Sequence, residues 1–501
     1  MTDSGSNWPQ EGFRWVDSPS GGPPAAASTR TAKPRRRWWM PVLVIAVVVG
    51  LTVGGVVVWR SVRGTNAHID ATIGTPKDLL IAFSLEKKPV PGWKVSAADI
   101  GLPPEVGVGS LFASTKDKAY FITDRTDSQG LSPAGWVYGV DIHSGKLLFQ
   151  PIELTGFRGN PLGDCYGNGP GTAVCLAEGD PEVGLAQLIW IIDLEQGKVT
   201  FTGPTDLFPQ GESASDKYVV AAIGNYLGET RLVARREGEG VYGLGPNGER
   251  TWFVPGGGSI FNPGYLQVSD IPAQTVAMQN PLPSDPEAPY RMFSALDGAD
   301  LTPTPPEGTI IRKALVYNGG FAYSFQESGK GDGLLFYDTA GQLVARYLDE
   351  NYDLTPVENQ VMPMARLRSK PAKWQVFSAA GDLVTSIPAP TPGIYFRVIG
   401  DKIYLDQGGT DDRWQQWDLS TGESGPVCQL GLSHDYVGSD GSIVIVGGGL
   451  ESNTVRAVDP STCAIAWELT EQETGEWLRL WKVGTGLVQR TRYELTELRA
   501  G

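Results

Sequence analysis

Short apolar runs separated by turns dominate the chain beyond residue 100. SLFAST and AYFITD, KYVVAAI and RLVARR, IYFRVI and KIYLDQ, and SIVIVGG all alternate aliphatic or aromatic residues with polar ones. A period of two predicts half-buried strands. The segments between them are rich in Asp, Asn and Gly, residues that tolerate tight-turn backbone conformations.

These runs repeat. The unit is an aromatic and β-branched strand, an Asp/Gly turn and a second apolar strand, as in WVYGVDIHSGKLLF and LIWIIDLEQGKVTF. The turn marker falls at Asp141, Asp193, Gly245, Asp297, Asp338, Ser378, Asp418 and Asp459, at intervals of 52, 52, 52, 41, 40, 40 and 41 residues. A period near 40 residues is that of a four-stranded propeller blade, so the fold expected is an all-β propeller. LRLWKV, GLVQRT and RYELTEL at the C-terminus, with GWKV (92–95) or DLLIAF (78–83) from the start, would form a blade from both ends and close the ring. Residues 348–372 are poor in strand signals and are not expected to form a full blade. The expected count is eight, with seven or nine as alternatives.

One segment departs from this pattern. Residues 38–59, WWMPVLVIAVVVGLTVGGVVVW, run for 22 residues without a charge, enough for a helix to cross the ~30 Å hydrocarbon core. Trp38, Trp39 and Trp59 mark its ends, where amphipathic rings favour the interface. Arg30, Lys33, Arg35, Arg36 and Arg37 precede it and only Arg60 and Arg63 follow closely, which places the N-terminus in the cytoplasm. The run is too long, and too bulky at its end, for a cleaved signal peptide. The expected organisation is a disordered tail (1–37), a transmembrane helix acting as signal anchor (38–59), a juxtamembrane linker (60–78) and an extracytoplasmic propeller (79–501). Gly50 and Gly54 have the spacing that permits weak helix dimerisation. The tail is too poor in aliphatic residues to order itself, although Trp8, Phe13 and Trp15 could anchor a docking motif.

Charge sharpens the division. Residues 1–37 carry six basic and three acidic residues, whereas 60–501 carry 35 and 53. An outer domain with a net charge of −18 and no basic stripe repels nucleic acid. All four cysteines, Cys165, Cys175, Cys428 and Cys463, lie beyond the span, which suggests two disulfides on the oxidising side. Three connectivities are open; sequence proximity favours Cys165–Cys175 and Cys428–Cys463. Their spacing is not that of a zinc cluster.

The marker turns resemble the quinoprotein-type (PQQ-like) propeller repeat, A-x-D-x-x-T-G-x-x-x-W. Ala457, Asp459, Thr462 and Trp467 in AVDPSTCAIAW follow it most closely, with Cys463 in the glycine position; Asp141 with Gly145, and Asp418 with Thr421 and Gly422, follow it more loosely. The resemblance covers roughly residues 90–500. It implies that the Asp and Gly shape the turn and that the Trp packs between blades, structural roles that extend to Asp193, Asp297 and Asp338. Catalytic members carry adjacent cysteines and a calcium site, and this chain has no vicinal cysteine pair. The plan is more similar to non-catalytic members of the outer-membrane assembly factor B type, and to actinobacterial single-pass membrane proteins.

A search for chemistry yields little. His68, His143 and His434 stand apart from any nucleophile pattern, and neither G-x-S-x-G nor H-E-x-x-H occurs. Asp411, Asp412, Asp435 and Asp440 could pair as acid and base, but solvated loops are the default reading. No catalytic, cofactor-binding or metal-binding residue is assigned, and no cofactor is expected. The function expected is a binding or scaffold domain for an envelope protein, peptide or glycan, in which Trp136, Trp190 and Trp414 either line a binding face or pack between strands. The alternative is an enzyme with its site at the propeller channel, either a PQQ-dependent dehydrogenase or glycosidase-like.

Overall fold

A computed structural model describes residues 73–501, except the loop positions 126–131, 133, 158–164, 180–186, 211–215, 225–229, 262–273, 282–289, 349–351, 355–360, 369–370, 389–394, 409–411, 434, 448–453 and 476–477. The tail, the apolar run 38–59 with Gly50 and Gly54, and His68 lie outside the described residues. Among the described residues no helix is long and apolar enough to cross a membrane.

Among the described residues the strands form nine sheets in chain order, seven of four strands, one of five and one of three. Pairing is antiparallel except that Leu207–Phe208 pairs parallel with Tyr218–Gly224 in the five-stranded sheet. We number them as blades 1 (110–155), 2 (165–204), 3 (207–255), 4 (260–300), 5 (309–348), 6 (352–388), 7 (396–429), 8 (436–470) and 9, in which 479–499 is joined by Val90–Ser96. In blade 9 Val90–Ser96 pairs antiparallel with Glu494–Arg499 as the outermost strand, so both ends of the domain meet in one sheet. Of the two starting segments considered for this role, GWKV takes it. DLLIAF does not: its first residues belong to a 3-10 turn, Lys77–Leu79.

Nine apolar clusters hold the blades together, each built from the facing surfaces of two neighbours. The cluster between blades 9 and 1 sets Trp481, Val483 and Val488 against Leu111, Phe121 and Tyr138, which closes the ring. Trp481 meets Phe121 edge-on at 5.8 Å. Every blade is therefore covered on both faces. Inner strands such as Ala134–Asp141 and Gln187–Asp193 are buried at nearly every position, and only outer strands such as Lys198–Pro204 alternate between exposed and half-buried. The expectation of half-buried strands fails for the inner ones, because a sheet sandwiched between two others has no wet face.

Nine sheets correct the expected count of eight. The extra blade is blade 6, in the region read as lacking strands. Its first two strands, Tyr352–Leu354 and Met364–Leu367, have three and four residues, too short for a period-two pattern to register.

Antiparallel pairing puts the turns between first and second strands, and between third and fourth, on one face of the ring. The chain enters over this face. Thr75 donates its backbone N–H to the Gly400 carbonyl at 2.9 Å, Ile81 to Ser439 at 2.8 Å and Ala82 to Thr485 at 2.9 Å. Residues 73–85 thus run from blade 7 across blade 8 to blade 9. Residues 73–78, read from the sequence as linker, belong to this thread.

Candidate binding groove

The groove is built from repeat turns. In blades 1, 2, 5, 7 and 8 an Asp at the end of the third strand bends back to accept hydrogen bonds from the backbone that follows. Asp141 Oδ1 accepts from the Ser144 N–H at 2.9 Å and Asp193 Oδ1 from Gln196 at 2.8 Å. Asp338 Oδ1 accepts from Gln342 at 2.8 Å and Asp418 Oδ1 from Thr421 at 2.8 Å. A short acceptor at this position offers the backbone a ready-made turn. Hydrogen bonding holds the Asp141 carboxyl below its usual range, the Ser144 hydroxyl contributing most. In blade 6 Ser378 Oγ serves instead, accepting from Asp382.

Blade 4 departs from the sequence alignment. Ser294, three residues before Asp297, holds the marker place: its N–H donates to Ala299 and its carbonyl accepts from Gly298, both at 2.9 Å. Asp297 lies inside the turn and accepts from Ala299 at 3.1 Å.

The fifth residue of the longer turns has a positive φ and abuts the preceding blade. Gly145, at φ 68°, sits so close to the Trp93 ring that a Cβ there would lie 2.7 Å from it. Trp93 in turn donates its indole N–H to the Ile142 carbonyl at 2.8 Å. In blade 8 the same position is Cys463, at φ 61°, a region that costs a residue with a Cβ roughly 1–2 kcal/mol. Cys463 is bonded to Cys428 on the outer strand of blade 7. A covalent link between blades stands where blade 1 seats a glycine beneath an aromatic ring. The other disulfide, Cys165–Cys175, joins directly opposed residues of two strands within blade 2.

Beside the Cys428–Cys463 bridge, blades 7 and 8 part into an open groove of about 700 Å³. Blade 7 supplies Asp401, Lys402, Tyr404 and Gln416; blade 8 supplies Ser442 and the marker turn with Asp459 and Ser461; the entering thread adds Glu86. Lys402 is gripped by Asp418 and, at 3.2 Å, by Asp401, and its pKa is raised chiefly by the Asp418 bond. That bond is also the main reason the Asp418 carboxyl lies far below its usual range. Burial pulls the Asp459 carboxyl upward, but hydrogen bonds from Ser461 and Thr462 outweigh it and the net shift is down. Burial keeps the Tyr404 phenol protonated. Gln416 is 8% exposed, and its Oε1 is buried with no hydrogen-bond donor among the described residues, an arrangement costing roughly 1–3 kcal/mol.

The residues singled out from the sequence scatter. Trp136, Trp190 and Trp414 are buried in the seams between blades 9 and 1, 1 and 2, and 7 and 8. Trp467 is buried between blades 8 and 9 and donates to the Leu85 carbonyl at 2.7 Å. His143 is exposed, 3.1 Å from Asp117. Asp440 shapes a hairpin turn, accepting from Ser442 and Ile443 at 2.8 Å, and holds the thread through Leu85 at 2.7 Å. His434 and Asp411 lie outside the described residues; Asp412 and Asp435 receive backbone bonds into their own carbonyls, from Leu430 and Gly447. Of all these, only Asp459 lines the groove. Of its neighbours, Lys402 and Tyr404 share one strand, Gln416 lies on the next and Glu86 on the entering thread, and they carry no local motif. Among the described residues no cluster of three or more His, Cys, Asp or Glu could hold a metal ion.

The fold is thus a closed nine-bladed β-propeller, sealed by its own N-terminal strand. Residues 65–501 match the family described as the conjugation-associated 9-bladed beta-propeller domain, and the chain belongs to that family. An uncharacterised protein of Mycolicibacterium smegmatis (strain MKD8) is 29% identical over 477 residues, spanning 89% of this chain and 93% of its own. Among solved structures, BamB from Moraxella catarrhalis is 8% identical, with a TM-score of 0.35, over 82% of this chain and 100% of its own. Apo AztD from Citrobacter koseri is 13% identical, with a TM-score of 0.31, over 72% and 95%.

Proposed function

We propose that this chain is a membrane-anchored binding domain whose propeller stands outside the cytoplasmic membrane and holds a protein or peptide component of a conjugation-associated assembly in the envelope. The observation that carries this reading is membership of a conjugation-associated family over residues 65–501. The 22-residue apolar run 38–59, with its basic N-terminal flank, supports the anchor and its orientation. The two disulfides fit an oxidising compartment. Binding is preferred to catalysis because the carboxylates best placed to act, Asp440 and Asp459, are engaged in shaping turns. The turns also fit a quinoprotein-type ancestry whose redox chemistry is not used.

Photo-crosslinking in intact conjugating cells tests this, with the crosslinker placed at Ser442 and, separately, on an outer strand at Leu343. The expected result is one discrete envelope protein, lost or gained with conjugative transfer when the chain is deleted. Carbonate extraction should leave the chain in the membrane fraction, and external protease should digest the propeller while sparing the tail. Unchanged transfer on deletion, with no crosslinked protein from either position, sinks the reading. A crosslinked glycan in place of a protein replaces the partner class.

A further inference from the structure

The groove between blades 7 and 8 is lined with hydrogen-bond acceptors. Glu86, Asp401 and Asp459 bring three carboxylates to it, against the single ammonium of Lys402, and that ammonium is already shared between Asp401 and Asp418. Carboxylates alone define no site on so acidic a surface. Gln416 supplies the independent observation: its side chain lines the groove, is 8% exposed, and makes no hydrogen bond through its carboxamide oxygen. The atom left unsatisfied is the oxygen, an acceptor, so a donor is what would satisfy it.

We infer that this groove receives a donor-rich cationic side chain, the guanidinium or ammonium of an arginine or lysine carried on an extended segment of the partner. The inference rests on the binding role proposed above and names the chemistry of its ligand. A guanidinium presents five N–H donors and no acceptor, the complement of a wall made of the Glu86 carboxylate, the Asp401 carboxylate that shares Lys402 with Asp418, and an amide oxygen. Charge-assisted bonds to Glu86 and Asp401 supply the affinity, and the amide at the floor rewards a donor that enters fully. The volume of about 700 Å³ is that of a specific small-ligand site rather than of a flat patch. The groove is also rigid on both sides. The Cys428–Cys463 bond ties its outer rim, and the entering thread pins its inner rim through Asp440.

The test uses the full chain in detergent and fluorescein-labelled octaarginine, with octalysine, spermidine and octaglutamate as comparison probes, read by fluorescence anisotropy. Octaarginine and octalysine should bind, octaglutamate should not, and spermidine should compete weakly, because it lacks a chain to lie along the groove. Gln416→Leu and the double change Glu86→Gln with Asp401→Asn should each weaken octaarginine by about tenfold, the loss of one or two charge-assisted bonds. Glu307→Gln, an exposed carboxylate in the loop before blade 5, removes one charge elsewhere and should change binding less than about twofold, the screened effect of a distant charge. Ser442→Trp, which fills the groove from an exposed turn, should abolish binding whether or not Gln416→Leu folds normally. Equal binding by Ser442→Trp and the parent, or equal losses from Glu307→Gln and the groove carboxylates, overturns the inference in favour of diffuse attraction to an acidic surface. Spermidine competing as strongly as octalysine overturns the peptide as source. The partner crosslink separates the two readings: a partner retained by Ser442→Trp leaves the binding role standing and removes the groove from it.

Discussion

Two seams of the ring solve one problem differently. Between blades 9 and 1, eighteen buried residues form the apolar cluster, an aromatic pair joins the blades, and Gly145 lies against the face of Trp93. Between blades 7 and 8 the cluster has ten residues, one of them Cys428, and the place of Gly145 is taken by Cys463. The first seam carries no disulfide: packing and hydrogen bonds such as that from Trp93 to Ile142 hold blade 9 against blade 1. The pairing of Val90–Ser96 with Glu494–Arg499 joins the two ends of the domain within blade 9. The second has an apolar cluster no smaller than those of four other seams, and adds to it a polar groove and a covalent tie. The glycine that lets an aromatic ring press against the first seam is, at the second, a cysteine that ties the two blades beside the groove.

The largest effect is expected at the seam without a disulfide. Trp481→Ala should cost about 3–5 kcal/mol of unfolding free energy, the usual loss for a buried aromatic truncated in a packed core, measured by urea denaturation of the full chain in detergent. A loss below about 1 kcal/mol would mean that the strand pairing alone closes the ring.

At the groove seam, replacing Cys428 and Cys463 with serine should cost about 2–4 kcal/mol, the typical contribution of a disulfide. The pair Cys428→Ala with Cys463→Gly should recover about 1 kcal/mol relative to alanine at both positions, since glycine adopts the positive φ without penalty. No difference between these pairs would show that the turn relaxes once the bond is gone. Gly145→Ala tests the same position where an aromatic ring covers it, and should cost about 1–2 kcal/mol from its positive φ, with a further loss as Trp93 is pushed aside. The melting temperature of the purified chain reads both.

The smallest effect is electrostatic. The Asp418 carboxyl has a folded pKa well below the ordinary ~3.9, mainly through Lys402. Its contribution is therefore fully present above about pH 4, and it is lost as pH falls through the folded value, where the carboxylate protonates in both states. Asp418→Asn should lower stability at pH 7 and approach the parent as the medium is taken below pH 3. A constant gap across that range would assign the loss to turn geometry instead of to the Lys402 pair.

The repeat turns were the most legible part of the chain, because an Asp bending onto the next backbone amides is a local event that needs only its own few residues. The alignment slipped at blade 4, where Ser294 and Asp297 both offer a suitable oxygen and only strand pairing distinguishes them. Blade 6 went unrecognised because three- and four-residue inner strands carry too little pattern, yet their neighbours bury them as fully as long ones. The groove was legible only through Asp459. Gln416 and Glu86 are far apart in sequence and become neighbours only when the entering thread lies across blade 8.

The order of apolar and polar residues therefore determined by itself the propeller class, the turn chemistry, the acidic charge of residues 60–501 and the 22-residue apolar run, since each depends on residues close together in the chain. The number of blades, the strand that closes the ring and the groove between blades 7 and 8 were decided by tertiary structure. They depend on which surfaces meet around a closed circle, and that condition is imposed only when the last blade finds the first.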